Sequence, residues 1–157
     1  MGQQQLLLLV LATVIVGLAT VAGIQAFDEG QAQASQDALV QRATDLASDI
    51  KAAESKPAQL GGVTIGSETI ENDDGSKEDV PVSSANDIAK AIGVSQATGI
   101  SAQGAGGNAA CDIETINSGS EVTVTCDSDD AQQGVQVTFD PDGDPQITTD
   151  VGDYSTN

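Results

Sequence analysis

Between Leu6 and Phe27 the chain runs for 22 residues without an Asp, Glu, Lys or Arg, and only Thr13, Thr20 and Gln25 supply polar side chains. At about 1.5 Å per helical residue the run reaches roughly 33 Å, enough to cross the hydrocarbon core of a bilayer. A cleaved signal peptide is the rival reading, with Ile24-Gln25-Ala26 as a weak cleavage pattern before Phe27. Against it stand the missing basic n-region and an apolar run longer than a typical signal core. The flank Met1-Gly2-Gln3-Gln4-Gln5 carries no Lys or Arg to set a membrane orientation, whereas Asp28-Glu29 opens the other side. The acidic portion is therefore expected outside the cytoplasm.

No helix breaker follows. From Phe27 to Lys56 there is no Pro and only Gly30, and the Ala, Gln, Leu and Arg content favours continued helix. Ala32, Leu39, Ala43, Leu46, Ile50 and Ala53 form an apolar stripe, with Asp37, Arg42, Asp45, Lys51 and Glu54 read as the solvated face. Pro57 ends the element, because the residue before a proline is pushed out of the α region. One helix over about residues 3 to 55 would be roughly 80 Å long.

Beyond Pro57 the pattern changes to short strands and turns. Val63-Thr64-Ile65, Glu68-Thr69-Ile70, Val80-Pro81-Val82, Glu121 to Thr125 and Val135 to Phe139 read as strands from their β-branched alternation. Asn72-Asp73-Asp74-Gly75 and Asn117-Ser118-Gly119-Ser120 have turn chemistry, Ser101 to Gly107 is a small-residue loop, and Ser84 caps a short helix to Ile92. The turn at 117 to 120 lies midway between Cys111 and Cys126, so a hairpin brings them into register for a disulfide. Such a bond closes a loop of about fifteen residues, contributes on the order of 3 kcal/mol and implies an oxidising exterior. The expected fold class is α+β, a long helix packed on a small antiparallel sheet. Residues 1–27 form an apolar helix, 28–56 its amphipathic continuation and 57–157 an acidic head.

Composition removes several functions. The chain has 24 acidic residues, five basic ones and no His, for a formal charge of −19. That balance repels nucleic acid. Without His, triad-type nucleophilic catalysis has no base, and one Tyr, two Phe and no Trp leave little to stack on a cofactor or sugar ring. No enzyme activity and no cofactor are expected. Eighteen of the acids fall in residues 57–157 against Lys77 and Lys90, which points to halophilic adaptation, since molar salt shortens the Debye length to about 3 Å. A competing use is calcium binding by Asp140, Asp142 and Asp144, with Asp127, Asp129 and Asp130 as further ligands if the fold brings them near. The spacing departs from a calcium loop: Gly143 stands at the fourth place and Val151 at the twelfth.

An apolar N-terminal helix running into an amphipathic segment, followed by a disulfide-bearing β head, resembles the type IV pilin superfamily, including pseudopilins and archaeal-type pilins, over about residues 1–55. The resemblance implies a subunit first anchored in the cytoplasmic membrane, then withdrawn by a pilus assembly machinery into an extracellular homopolymer with the helices in its core. It implies Met1 as the first mature residue, or Gln3 if processing follows Gly2. Most bacterial members carry Glu at the fifth mature position, where it pairs with a neighbour's N-terminal amine; Gln5 stands there in this chain and offers a hydrogen bond without charge. Leu6, Leu9, Val10, Val14, Leu18 and Val21 are the expected helix contacts between copies, with Gly17 and Gly23 allowing close approach. The second function reading is a monomeric, membrane-anchored outer domain that binds a partner or cation.

Overall fold

The computed structural model describes residues 2–66, 68–71, 77–80, 82–116 and 119–156. Helix α1 spans Gly2–Glu54, passing through Gly30 without interruption. Its end is made by the backbone: Ser55 N–H still donates to Lys51 O, and a 3₁₀ turn over Ala58–Leu60 follows Pro57. At the rise of an α-helix, α1 is roughly 80 Å long.

Among the described residues, only the second part of α1 packs against the rest of the chain. Ser35, Leu39, Ala43, Leu46, Ala47, Ile50 and Ala53 are buried, the last six at 0–1% exposure. Against this stripe lies a five-stranded antiparallel meander of β3 (Ile100–Ser101), β4 (Ala110–Ile116), β5 (Glu121–Asp127), β6 (Gly134–Phe139) and β7 (Ile147–Gly152). Each of these strands pairs with its sequence neighbour. A separate hairpin joins β1 (Glu68–Glu71) to β2 (Lys77–Val80). The register Cys111↔Cys126, Ile113↔Val124↔Val137 and Val122↔Phe139 puts those side chains, with Val135, on one face. All are at most 1% exposed, so this face and the α1 stripe make one core. Fully burying each side chain contributes about 1.5–3 kcal/mol for the larger aliphatic and aromatic residues.

Helix α2 (Ala85–Ala91) has a capping box: Asp87 N–H donates to Ser84 Oγ while Ser84 N–H donates to the Asp87 carboxylate. The hydroxyl of Ser84 also donates to Asp87 Oδ2 at 2.6 Å. These bonds to Ser84, led by the side-chain one, hold the Asp87 carboxyl below the usual carboxylate range, with the Lys90 charge adding a smaller contribution. A folded-state pKa below the unfolded value stabilises α2 above the unfolded pKa, and the benefit disappears as pH falls through the folded one. Ser84→Ala is expected to return the Asp87 titration toward that of an ordinary aspartate, as followed by carboxyl NMR; an unmoved titration would remove the hydroxyl as its cause.

Two sequence expectations need correction. Val63-Thr64-Ile65 is extended but belongs to no sheet. Thr64 instead bonds to Ser83 through both its N–H and its carbonyl, Val63 N–H donates to Ala53 O, and Gly66 N–H donates to Gly119 O. Val63 and Ile65 are still buried, so the alternation reports core contact without a ladder. The second correction concerns Val82, which lies outside β2 and is exposed; Pro81 falls outside the described residues, as do the turn at 72–75 and residues 117 and 118 of the β4–β5 turn. Strands β3 and β7 carry too few buried apolar positions to stand out, and both are edges of the sheet.

Candidate assembly surface

The first half of α1 is an apolar rod standing free of its own head. Leu6, Leu9, Val10, Val14, Leu18 and Val21 are 51–68% exposed, and none of the window long and apolar enough to span a membrane is buried within the chain. An unaccompanied helix so apolar all round is stable only where lipid or other protein covers it.

Its polar groups suit such surroundings. Thr13 Oγ1 donates to Val10 O at 2.9 Å and Thr20 Oγ1 to Val16 O at 2.8 Å, so neither hydroxyl enters an apolar medium with an unsatisfied donor. A methyl group placed on Gly17 or Gly23 would meet nothing within 4 Å. Those glycines therefore serve no packing inside the monomer, and the backbone they bare is open to a second helix. Gln5 is exposed on the first turns of α1, and Met1 lies outside the described residues.

In the head, the disulfide between Cys111 and Cys126 is formed, with both residues fully buried and their Cα atoms 4.0 Å apart. The acidic turn after β6 does not gather ligands. Asp140 Oδ1 accepts from Asp142 N–H, while Asp142 and Asp144 point into solvent. Asp127, Asp129 and Asp130 are spent elsewhere. Asp127 accepts from both the N–H and the hydroxyl of Thr156, Asp129 accepts from the Asn108 amide, and Asp130 accepts from Gly107 N–H. Gly106 beside it adopts φ +96° and has no room for a side chain against Asp130. Among the described residues no group of three Asp, Glu, His or Cys side chains is placed to hold a metal, the Asp140, Asp142 and Asp144 turn included. Asp127, Asp129, Asp130 and Asp140 each satisfy a nearby backbone or side-chain donor instead of a shared centre.

The solvated face of α1 also needs revision at one residue. Arg42 is partly buried in a groove between α1 and the segment that leads from α2 into β3. Sequence reasoning placed it with Asp45 on the outer face; the signal it passed over is that Arg42 is the only arginine in the chain. At the other end of the chain, the Tyr154 hydroxyl donates to Asp150 Oδ2 at 2.6 Å, and that bond holds the phenol above its ordinary range. With Thr156 on Asp127 it ties the C-terminal segment to the ends of β5 and β7.

These features define an α+β protein with a free apolar helix long enough to cross a membrane and a disulfide-closed head. No protein-family model, curated protein or solved structure matches the chain.

Proposed function

We propose that this chain is the structural subunit of an extracellular, pilus-like helical filament of the type IV pilin kind. The observation that carries the reading is the division of labour along α1. Residues from Ser35 onward serve the head, and the preceding apolar residues serve nothing in their own chain. Bundling copies of that half would cover the apolar surface, with Leu6, Leu9, Val10, Val14, Leu18 and Val21 as contacts and the acidic heads outside. Before assembly the same segment holds the subunit in the cytoplasmic membrane, from which an assembly machinery withdraws it.

The test is negative-stain electron microscopy of material sheared from producing cells in molar salt, with the filament band identified by mass spectrometry. Thin uniform filaments containing this chain are expected, and the N-terminal peptide decides between Met1 and Gln3. Material that stays in the membrane fraction without filaments would replace this reading by the anchored-domain one.

The surface charge supports a high-salt setting for the head. Self-repulsion among 24 acids against five bases weakens as the Debye length falls from about 10 Å at 0.1 M to about 3 Å at 1 M. The melting temperature of the detergent-solubilised chain should rise from 0.1 M to 2 M KCl, chloride being chosen because sulfate strengthens apolar burial on its own. A flat or falling curve would remove the halophilic reading.

A further inference from the structure

We infer that the groove at Arg42 receives the Asp142/Asp144 turn of a second copy of this chain. The inference rests on the filament reading and deepens it by naming a contact between heads. Two adjoining lobes of about 360 Å³ each meet at Arg42, and their polar lining includes Ser95, Gln96, Thr98, Ser101 and Gln103. Among the described residues no carboxylate lines either lobe. In a chain of 24 acids, the only arginine thus faces a groove to which the described residues bring no acid. Its Nε is buried without a hydrogen-bond partner among the described residues, and the guanidinium forms no ion pair with them. A carboxylate accepting from the planar fork satisfies this unpaired buried donor.

The occupant follows from which unengaged acids of the head share one turn: among the described ones, Glu114, Asp142, Asp144 and Asp153 accept no hydrogen bond within the chain, and of these Asp142 and Asp144 alone sit together. Asp87, Asp112, Asp127, Asp129, Asp130, Asp140 and Asp150 each accept a hydrogen bond within the chain. Asp142 and Asp144 are exposed, two residues apart on one turn, and their carboxylates accept none from the described residues. Position agrees with chemistry. The groove is on the β3 side of the sheet, whereas the turn joins β6 to β7 at the opposite edge. Their heights differ as well. Gln133 N–H, just before β6, bonds to Gln36, whereas the other end of the sheet joins, through Gly119 and Gly66, the segment that bonds to Ala53. The turn therefore lies roughly 20 Å further along, one strand length, than the start of β6. A groove on one edge and its complement on the other, offset along the helix axis, make a head-to-tail contact that propagates without closing.

Two measurements test this. In the detergent-solubilised full chain, the Arg42 Nε–H resonance is followed while the peptide Asp-Pro-Asp-Gly-Asp or sulfate is added at constant ionic strength. A saturable shift with the peptide, weakened about tenfold or more in affinity by Arg42→Gln, is expected. No shift, or an equal one with sulfate, would overturn the assignment, the latter making the groove a site for any free oxyanion. In filaments, Arg42→Gln and the double variant Asp142→Asn/Asp144→Asn should each lower the dissociation temperature, and their combination should lower it little further. A bulk charge effect would move the two in opposite directions, and additive losses or wild-type stability would also refute the contact. The measurements separate the two readings: wild-type filaments with an indifferent Arg42 leave the polymer standing without this contact, and peptide binding without filaments leaves the groove standing without the polymer.

Discussion

Val14→Asp is expected to eliminate filaments while leaving the head folded. Val14 is 53% exposed in the single chain, and the first buried residue of α1, Ser35, lies about six turns away, so the substitution removes no contact within the subunit. In a bundle of apolar helices the new carboxylate has no partner, and burying it costs several kcal/mol per subunit, repeated at every step of growth. Electron microscopy and pelleting read the loss, and circular dichroism of the head with an intact Cys111–Cys126 bond checks folding. Normal polymers from this variant would sink the core assignment. Because an Asp at mid-span also disfavours lipid, Gly17→Leu is the companion: it keeps the segment apolar and meets nothing in its own chain. Membrane retention with loss of filaments is the expected outcome, since only a second helix can feel that side chain. If Gly17→Leu assembles like the parent chain, close approach at Gly17 is not part of the polymer.

Removing the disulfide is the largest expected perturbation of the head. Replacing both Cys111 and Cys126 with Ala frees a loop with a sequence separation of 15, worth about 3 kcal/mol of denatured-state entropy. For a head of this size that corresponds to a drop of about 15 °C in melting temperature. The two sulfurs also fill the centre of the core, between Ile113, Val124 and Val135, so the Ala pair leaves space behind. Thermal unfolding of the double variant in molar salt, beside the parent with and without a reductant, gives the comparison. A variant that melts with the oxidised parent would show that the staple contributes nothing beyond the meander itself.

Much of this architecture is local and could be read along the chain. The apolar run, the unbroken continuation through Gly30, the stop at Pro57, the Ser84 cap and the Cys111/Cys126 register each depend on neighbours within one element or one hairpin. Five of the six buried positions from Leu39 to Ala53, all but Ala47, were legible for the same reason, since helical periodicity carries burial directly. Short segments were harder. Val63 to Ile65 alternates like a strand yet pairs with Ser83, Ala53 and, through Gly66, Gly119, partners that lie far along the chain. At the edges, β7 is mostly exposed and carries Asp150, so little apolar pattern marks it.

The chain's own composition and periodicity thus determined a two-part helix, a disulfide-closed antiparallel head and an acidic exterior, because helix propensity, apolar spacing and hairpin turn chemistry act over a few residues. Only the tertiary structure decided the fate of individual polar groups. It assigned Asp127, Asp129 and Asp130 to separate donors, left Asp142 and Asp144 free, and drew Arg42 from the outer helix face into a groove. The physical reason is that a charge takes its partner from whatever the fold brings within about 3 Å, and that distance is set by the packing of α1, α2 and the sheet rather than by separation in the sequence.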